Sequence, residues 1–513
     1  MSETLSIASQ AATGDGADPA LVTHWIDGAP VAGGGRTLAI TDPALGRGVR
    51  RVELADEALV DRAVASAAAA AELWGEVPLP KRVERLRTMR NLIWDRRAEL
   101  IELIGAEHGK VQSDAMGELQ RGLEVVDLAC SASLVVRGRY SDQVATGVDV
   151  YSMRQPLGVC VGITPFNFPA MVPLWMFPVA LAAGNAFVLK PSERDPSAPR
   201  YLAELASEAG IPPGVLNVVH GDKVAVDALC THPDVASVSF VGSTPIAKYV
   251  YERATAAGKR AQALGGAKNH MVVLPDADLD VAADAVTSAA YGSTGQRCMA
   301  ISTLVAVGGV GDALAAKVQE RLGAIRTGPA SDVDAEMGPL VSGAARDRVH
   351  DAIGSAEREG AAVVSDGRDV SVKGHEDGFF VGPTLIDHVA PSMEVYREEI
   401  FGPVLIMLRT ETLDEALALV NANPYGNGAA VFTSDGGVAR HFKRKVTAGM
   451  VGVNVPIPVP VAFYSFGGWK DSLFGDRHLY GEEGFDFYTR AKVVTERWPA
   501  AVSDGVGLAF PGR

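Results

Sequence analysis

One cysteine stands in a setting suited to covalent chemistry. In STGQRCMA (293–300), Cys298 follows Arg297 inside a segment rich in glycine and hydroxyls. That composition predicts an accessible thiol, and a neighbouring cation favours the nucleophilic thiolate. Taken alone, the residue also fits a buried structural thiol, because free cysteines are commonly buried. In TPFNFP (164–169), Asn167 is confined between aromatics and prolines. An amide so restrained can donate a hydrogen bond to an oxyanion, although asparagine is ordinary in a proline-bounded turn. In FVGST (240–244), a β-branched run ends in glycine and a hydroxyl pair opens a helical segment. The glycine permits close backbone approach, and the helix N-terminus with Ser243 offers donors to a pyrophosphate. A plain strand-to-helix turn would read the same way. GGVGDA (308–313) is the nearest approach to a dinucleotide fingerprint, but its glycines are out of register.

These residues need elements to hold them. Between about 55 and 137 the periodicity is helical: Val83, Leu86, Met89, Leu92, Ile93, Leu100, Ile101 and Ile104 form a core-facing stripe over 81–104. The alanine run 63–74 reads as helix by propensity. Beyond Val150 short β-branched runs alternate with helical stretches: 157–164, 186–190, 215–221 and 236–242, then a second series from 270–276 and 302–308. That alternation predicts two α/β lobes, each with a parallel sheet covered on both faces. Near the end, 453–468 is rich in proline and aromatics and reads as an extended loop. The runs 149–158 and 487–498 read as strands that pair in a small separate sheet used for assembly.

At 513 residues the chain is long enough for more than one domain. Its 47% hydrophobic and 21% charged residues describe an ordinary globular protein. A net charge of −15 argues against nucleic-acid or anionic-membrane partners. The four cysteines, Cys130, Cys160, Cys230 and Cys298, fit neither a disulfide framework nor a metal site, so a cytoplasmic setting is expected. Residues 1–20 lack the features of a targeting peptide and read as a disordered tail. No apolar run is long enough to predict a membrane span.

Seven segments in order, GITPFNFP (162–169), LKPSE (189–193), FVGST (240–244), LGGAKNH (264–270), GQRCM (295–299), EEIFGPV (398–404) and NPYGNGAAVFT (423–433), resemble the motif set of the NAD(P)-dependent aldehyde dehydrogenases. The resemblance covers roughly residues 25–500. It implies an α/β protein of the aldehyde dehydrogenase fold, with a Rossmann-like NAD-binding domain over 21–138 and 160–269. It also implies an α/β catalytic domain over 270–484 and a β-arm for oligomerisation over 139–159 and 485–500. A homo-oligomer, dimer or tetramer, follows from that arm.

By motif position the resemblance makes Cys298 the nucleophile and Asn167 the side-chain donor to the oxyanion, with the Cys298 backbone N–H as the second donor. It places Lys190 and Glu193 at the adenine ribose, where a carboxylate favours NAD over NADP; the adjacent Arg194 weakens that preference. Thr164 and Phe166 line the nicotinamide side, Ser243 and Gly265 belong to the cofactor cleft, and Glu399 meets the nicotinamide ribose. Hydrolytic members carry a glutamate immediately before Leu-Gly-Gly, and this chain has Ala263 there. Without that base, water attack on a thioacyl-enzyme is slow, whereas a thiol needs less help. GAKNH (266–270), Arg297 and QRGLEVVDLACSAS (120–133) are similar to the CoA-acylating methylmalonate- and malonate-semialdehyde dehydrogenases. That subgroup implies coenzyme A as co-substrate, a small semialdehyde as substrate, and Arg121 and Arg297 as holders of its carboxylate. Two competing readings are a dehydrogenase forming a free acid and a catalytically silent structural homologue.

Overall fold

The computed structural model describes residues 20–498, so residues 1–19 of the expected tail and the last residues of the expected arm lie outside the described residues. Two large sheets dominate. The first has eight strands, in the order Leu473–Phe474, Arg260–Leu264, Val235–Val241, Val159–Ile163, Ala186–Lys190, Leu216–Val218, His24–Ile26 and Ala29–Val31. Its five central strands are parallel. The strands Val159–Ile163 and Ala186–Lys190 are buried at every position, as a sheet covered on both faces requires.

The second sheet has seven strands, in the order Ala362–Ser365, Thr384–Asp387, Val404–Thr410, Ile301–Val307, Asn269–Val273, Gly428–Phe432 and Met450–Val453. Only the edge strand Ala362–Ser365 runs antiparallel. A third, antiparallel sheet pairs Val148–Pro156 with both Tyr140–Ala145 and Thr489–Arg497, in a register running from Thr489↔Pro156 to Arg497↔Val148. The two stray runs of the sequence therefore do pair.

Two expectations change. The apolar stripe over 81–104 is carried by two helices, Leu79–Asp95 and Arg97–His108, with non-helical backbone at Arg96 between them. The spacing stays in phase across the break, which is why it reads as one element. The chain end also crosses back. Leu473–Phe474 adds to the first sheet beside Arg260–Leu264, and the helix Gly481–Phe487 buries Phe485 and Phe487 in the first lobe's core. Sheet membership therefore departs from a boundary at 484. The large aromatic side chains of this segment find an apolar surface there, which decides where it packs.

One helix pair sets the site. Met171–Ala182 is buried all round, and Gln112–Cys130 lies directly on it with Leu119, Leu123 and Val126 inward. Gly122 makes the close approach possible: a Cβ there would sit 2.8 Å from Leu174 Cδ1. The opposite face of Gln112–Cys130 then presents Asp114, Glu118 and Arg121, spaced four and three apart, to one cavity.

Candidate active site

The parallel strands of the first sheet deliver the expected cofactor residues at their carboxyl ends. Thr164 to Asn167 follow Val159–Ile163, Lys190 closes Ala186–Lys190, Ser243 follows Val235–Val241, and Gly265 follows Arg260–Leu264. In open α/β sheets this is the edge at which ligands bind. The second sheet contributes its amino ends: Asn269 opens Asn269–Val273, Cys298 precedes Ile301–Val307, Phe401 precedes Val404–Thr410, and Asn427 precedes Gly428–Phe432. Cys298 lies where the two sets meet.

A cavity of about 480 Å³ opens on one side of Cys298, lined by Lys110, Asp114, Arg121, Phe168 and Arg297 among others. A smaller recess on the other side includes Glu399, Asn269 and Phe401. The Cys298 carbonyl accepts from Asn269 Nδ2 at 2.9 Å and from Asn427 Nδ2 at 3.0 Å. Asn167 is buried and donates from Nδ2 to the Gln296 carbonyl at 3.0 Å. That bond uses one of its two amide protons and leaves the other for a ligand.

The protonation of Cys298 differs from the sequence expectation. Burial pushes its thiol up to about 12, the Glu399 carboxylate adds to the rise, and the backbone N–H groups of Cys298 and Met299 and the Lys110 ammonium oppose it. The Arg297 guanidinium, expected to favour the thiolate, is paired with Asp114. Burial likewise pushes the Glu399 carboxyl up to about 7, against the N–H of Ala267, which donates to it at 3.0 Å, and the charge of Lys268.

Three residues that the sequence reading passed over hold this geometry. Lys110 Nζ donates to the Asn167 carbonyl and to Glu118, both at 2.5 Å. Glu118 in turn accepts from the N–H groups of Ala170 and Met171 at 2.8 and 3.0 Å. The pair pins the segment carrying Asn167. Lys268, fully buried, donates to the carbonyls of Val395 and Glu398 and so anchors the segment carrying Glu399; burial pushes it down to about 7. The polar face of Gln112–Cys130 was the available signal for Glu118. Lys110 and Lys268 have no local pattern, because the backbone carbonyls that they hold, Asn167 for one and Val395 and Glu398 for the other, lie far along the chain.

The two arginines expected at a substrate carboxylate both line the cavity. Arg121 donates to Glu124 at 2.7 Å and to the carbonyls of Val459 and Pro460. Ala263 is buried in the first lobe's apolar cluster. The two carboxylates lining the cavity, Asp114 and Glu118, are each tied to a cation.

The residues expected at a dinucleotide fit one. Thr164 Oγ1 is buried without a partner among the described residues. Ser243 is exposed at the N-terminus of Thr244–Ala256 and leaves that helix uncapped by its side chain. Gly265 is where backbone must approach closely, since a Cβ would lie 2.7 Å from the Asp471 carbonyl oxygen. Phe166 stands between His108, stacked, and Phe401, edge-on. Lys190 Nζ meets Glu193 at 3.1 Å. Burial pushes the Glu193 carboxyl up, but the Lys190 ammonium overrides it and holds the group below its usual range. Arg194 is exposed beside them.

Known proteins are similar to this chain over most of its length. The aldehyde dehydrogenase family model matches residues 31–494. A malonate-semialdehyde dehydrogenase of Pseudomonas aeruginosa is 52% identical over 490 residues, covering 95% of this chain and 99% of its own length. The mitochondrial acylating methylmalonate-semialdehyde dehydrogenase of Arabidopsis thaliana is 46% identical over 472 residues, 92% of this chain and 77% of that protein. Among solved structures, a protein of Sinorhizobium meliloti 1021 provisionally assigned as a methylmalonate-semialdehyde dehydrogenase, complexed with NAD, superposes with a TM-score of 0.94. It is 49% identical and covers 95% of this chain and 100% of its own.

Proposed function

The chain belongs to the aldehyde dehydrogenase family, and from that premise we propose that it oxidises methylmalonate semialdehyde and malonate semialdehyde to propionyl-CoA and acetyl-CoA with NAD and coenzyme A. The observation that carries this reading is the sharing of one cavity by Cys298 and the guanidinium groups of Arg121 and Arg297. A semialdehyde bears a carboxylate two carbons from its carbonyl. A guanidinium binds such a group in bidentate fashion and sets the carbonyl beside the thiol.

The steps follow from the chain's own groups. Cys298 gives up its thiol proton to water and its Sγ attacks the carbonyl, whose π electron pair moves onto oxygen, where the free amide proton of Asn167 and the Cys298 N–H meet the charge. Bound NAD supplies the acceptor for the hydride. Thr164, Phe166, Lys190, Glu193, Arg194, Ser243, Gly265 and Glu399 are the residues that would hold it. The β-carboxylate then leaves as CO2 from the thioacyl-enzyme on Cys298: the C–C bond breaks, its electron pair passes into the thioester enolate, and the α-carbon takes a proton from water. Ala263 offers no base to water, so release falls to the CoA thiol, which ionises more readily. The arm sheet of Tyr140–Ala145, Val148–Pro156 and Thr489–Arg497 fits assembly into a cytoplasmic homo-oligomer. Among the described residues no helix is long and apolar enough to cross a membrane.

A CoA-dependent rate screen over malonate, methylmalonate and succinate semialdehydes, with the thioester identified by mass, tests the reading. Propionyl-CoA and acetyl-CoA from the first two substrates are the expected products. Free acids at the same rate with or without CoA would favour the hydrolytic alternative.

A further inference from the structure

Of the three ionic side chains that Gln112–Cys130 sends into the cavity, Asp114 has no part in the reaction as described. Its carboxylate nevertheless makes two contacts that reach the nucleophile from different directions. Oδ2 accepts from the Ser293 N–H at 2.8 Å, and Oδ1 takes the Arg297 guanidinium.

The first contact falls on an unusual stretch of backbone. Ser293, Thr294 and Gly295 all have positive φ, at 53°, 57° and 68°. Two of them carry side chains, whose Cβ crowds the following carbonyl oxygen in left-handed backbone. That conformation persists only where surrounding contacts impose it. Thr294 Oγ1 donates to the Gly338 carbonyl at 2.9 Å, and Gln296 Oε1 accepts from Val341 N–H at 3.2 Å. Gly295 admits no side chain, because a Cβ would lie 2.1 Å from the Gly402 carbonyl oxygen. The turn so held delivers the Gln296 carbonyl to Asn167 and then Cys298 to the cavity.

The second contact is electrostatic. Arg297 and Cys298 are consecutive, and the Arg297 guanidinium lies against the Asp114 carboxylate, so the two opposite charges sit together beside the thiol. We propose that Asp114 is a positioning residue serving both the nucleophile and its neighbour: it fixes the left-handed turn that presents Cys298, and its charge offsets that of Arg297 at the thiol. The proposal does not depend on which aldehyde the enzyme accepts. The other charged or titratable groups facing Cys298 are Glu399, Lys110 with Glu118 behind it, Arg121, and Tyr480.

Alkylation of Cys298 by iodoacetamide in the ligand-free enzyme, followed by peptide mass mapping at one fixed, mildly alkaline pH, tests both parts without substrate. Asp114→Asn keeps an acceptor for the Ser293 N–H but leaves the arginine's charge unbalanced, so labelling speeds up by about tenfold. Arg297→Leu leaves the aspartate's charge unbalanced and slows it. An unchanged rate in either variant, or a change of the opposite sign, overturns the electrostatic part. Asp114→Ala also releases the turn, and its labelling rate departs from that of Asp114→Asn by about threefold or more. Equal rates in these two variants overturn the turn-holding part. Should the Asp114 variants fail to fold, Arg297→Leu, which keeps the Ser293 contact, still decides the electrostatic claim.

Discussion

Cys298 is flanked by two regions built in opposite ways. On the side made by the carboxyl ends of the first sheet, two hydroxyl groups are left open although Lys190 and Glu193 pair: Thr164 Oγ1 has no partner among the described residues, and Ser243 stands exposed at a helix N-terminus it does not cap. On the side made by the amino ends of the second sheet and the helix Gln112–Cys130, the groups that set the geometry of the nucleophile are paired, although Ser293 Oγ and Gln296 Nε2 lie buried without a partner among the described residues. The Cys298 carbonyl is held by two asparagines, Arg297 by Asp114 and Glu118 by Lys110, while Asn167, which comes from the first sheet, is held by Gln296 and Lys110. The contrast teaches which region is completed by a ligand and which is finished in advance. Groups that bind a departing partner are left for it to satisfy. Groups that stabilise developing charge work only if their geometry is fixed beforehand.

The comparison makes graded predictions. The largest effect belongs to the paired side: Cys298→Ala loses NADH formation by at least about a thousandfold, while NAD binding, measured by fluorescence titration, is unchanged. Retained turnover would remove the nucleophile from the account. Next comes Asn167→Ala, which lowers kcat by about a hundredfold to a thousandfold, seen in pre-steady-state NADH formation. A change in KM with kcat preserved would mean that the amide only binds.

Arg121→Leu and Arg297→Leu each lower kcat/KM for the semialdehydes by about tenfold to a hundredfold and affect propanal much less. Proportionate losses on both substrates would make the arginines structural. The smallest effect belongs to the open side. Glu193→Gln keeps the acceptor but removes the charge, so NAD turnover changes by less than about tenfold while NADP improves, as kcat/KM ratios with the two cofactors would reveal. An unchanged ratio would move cofactor choice away from Glu193.

The same contrast explains what the sequence could disclose. The parallel sheets were legible from short β-branched runs such as 159–163 and 186–190 alternating with helical stretches, and the third sheet from two short runs, 149–158 and 487–498, outside that alternation. Cys298, Asn167, Lys190 and Glu399 were singled out because each sits in a short motif whose neighbours are chain neighbours. The groups that hold them in place were not. Lys110 reaches the Asn167 carbonyl 57 residues away, Asp114 reaches Ser293 across 179, and Lys268 reaches Val395 across 127. No local spacing encodes such contacts. The raised thiol was not legible for a related reason: its main cause is burial, which depends on the packing of distant segments around Cys298. The return of 473–487 to the first lobe was hidden because two-residue strands carry no periodicity.

The central claim is that the thioacyl-enzyme on Cys298 waits for a thiol because Ala263 supplies no base to water. Stopped-flow recording of NADH from methylmalonate semialdehyde, without and with CoA, tests it most directly. The account predicts a burst near one equivalent per active site followed by a slow phase without CoA, and a sustained fast rate when CoA is added. Equal steady rates in both conditions, with no burst, would contradict it.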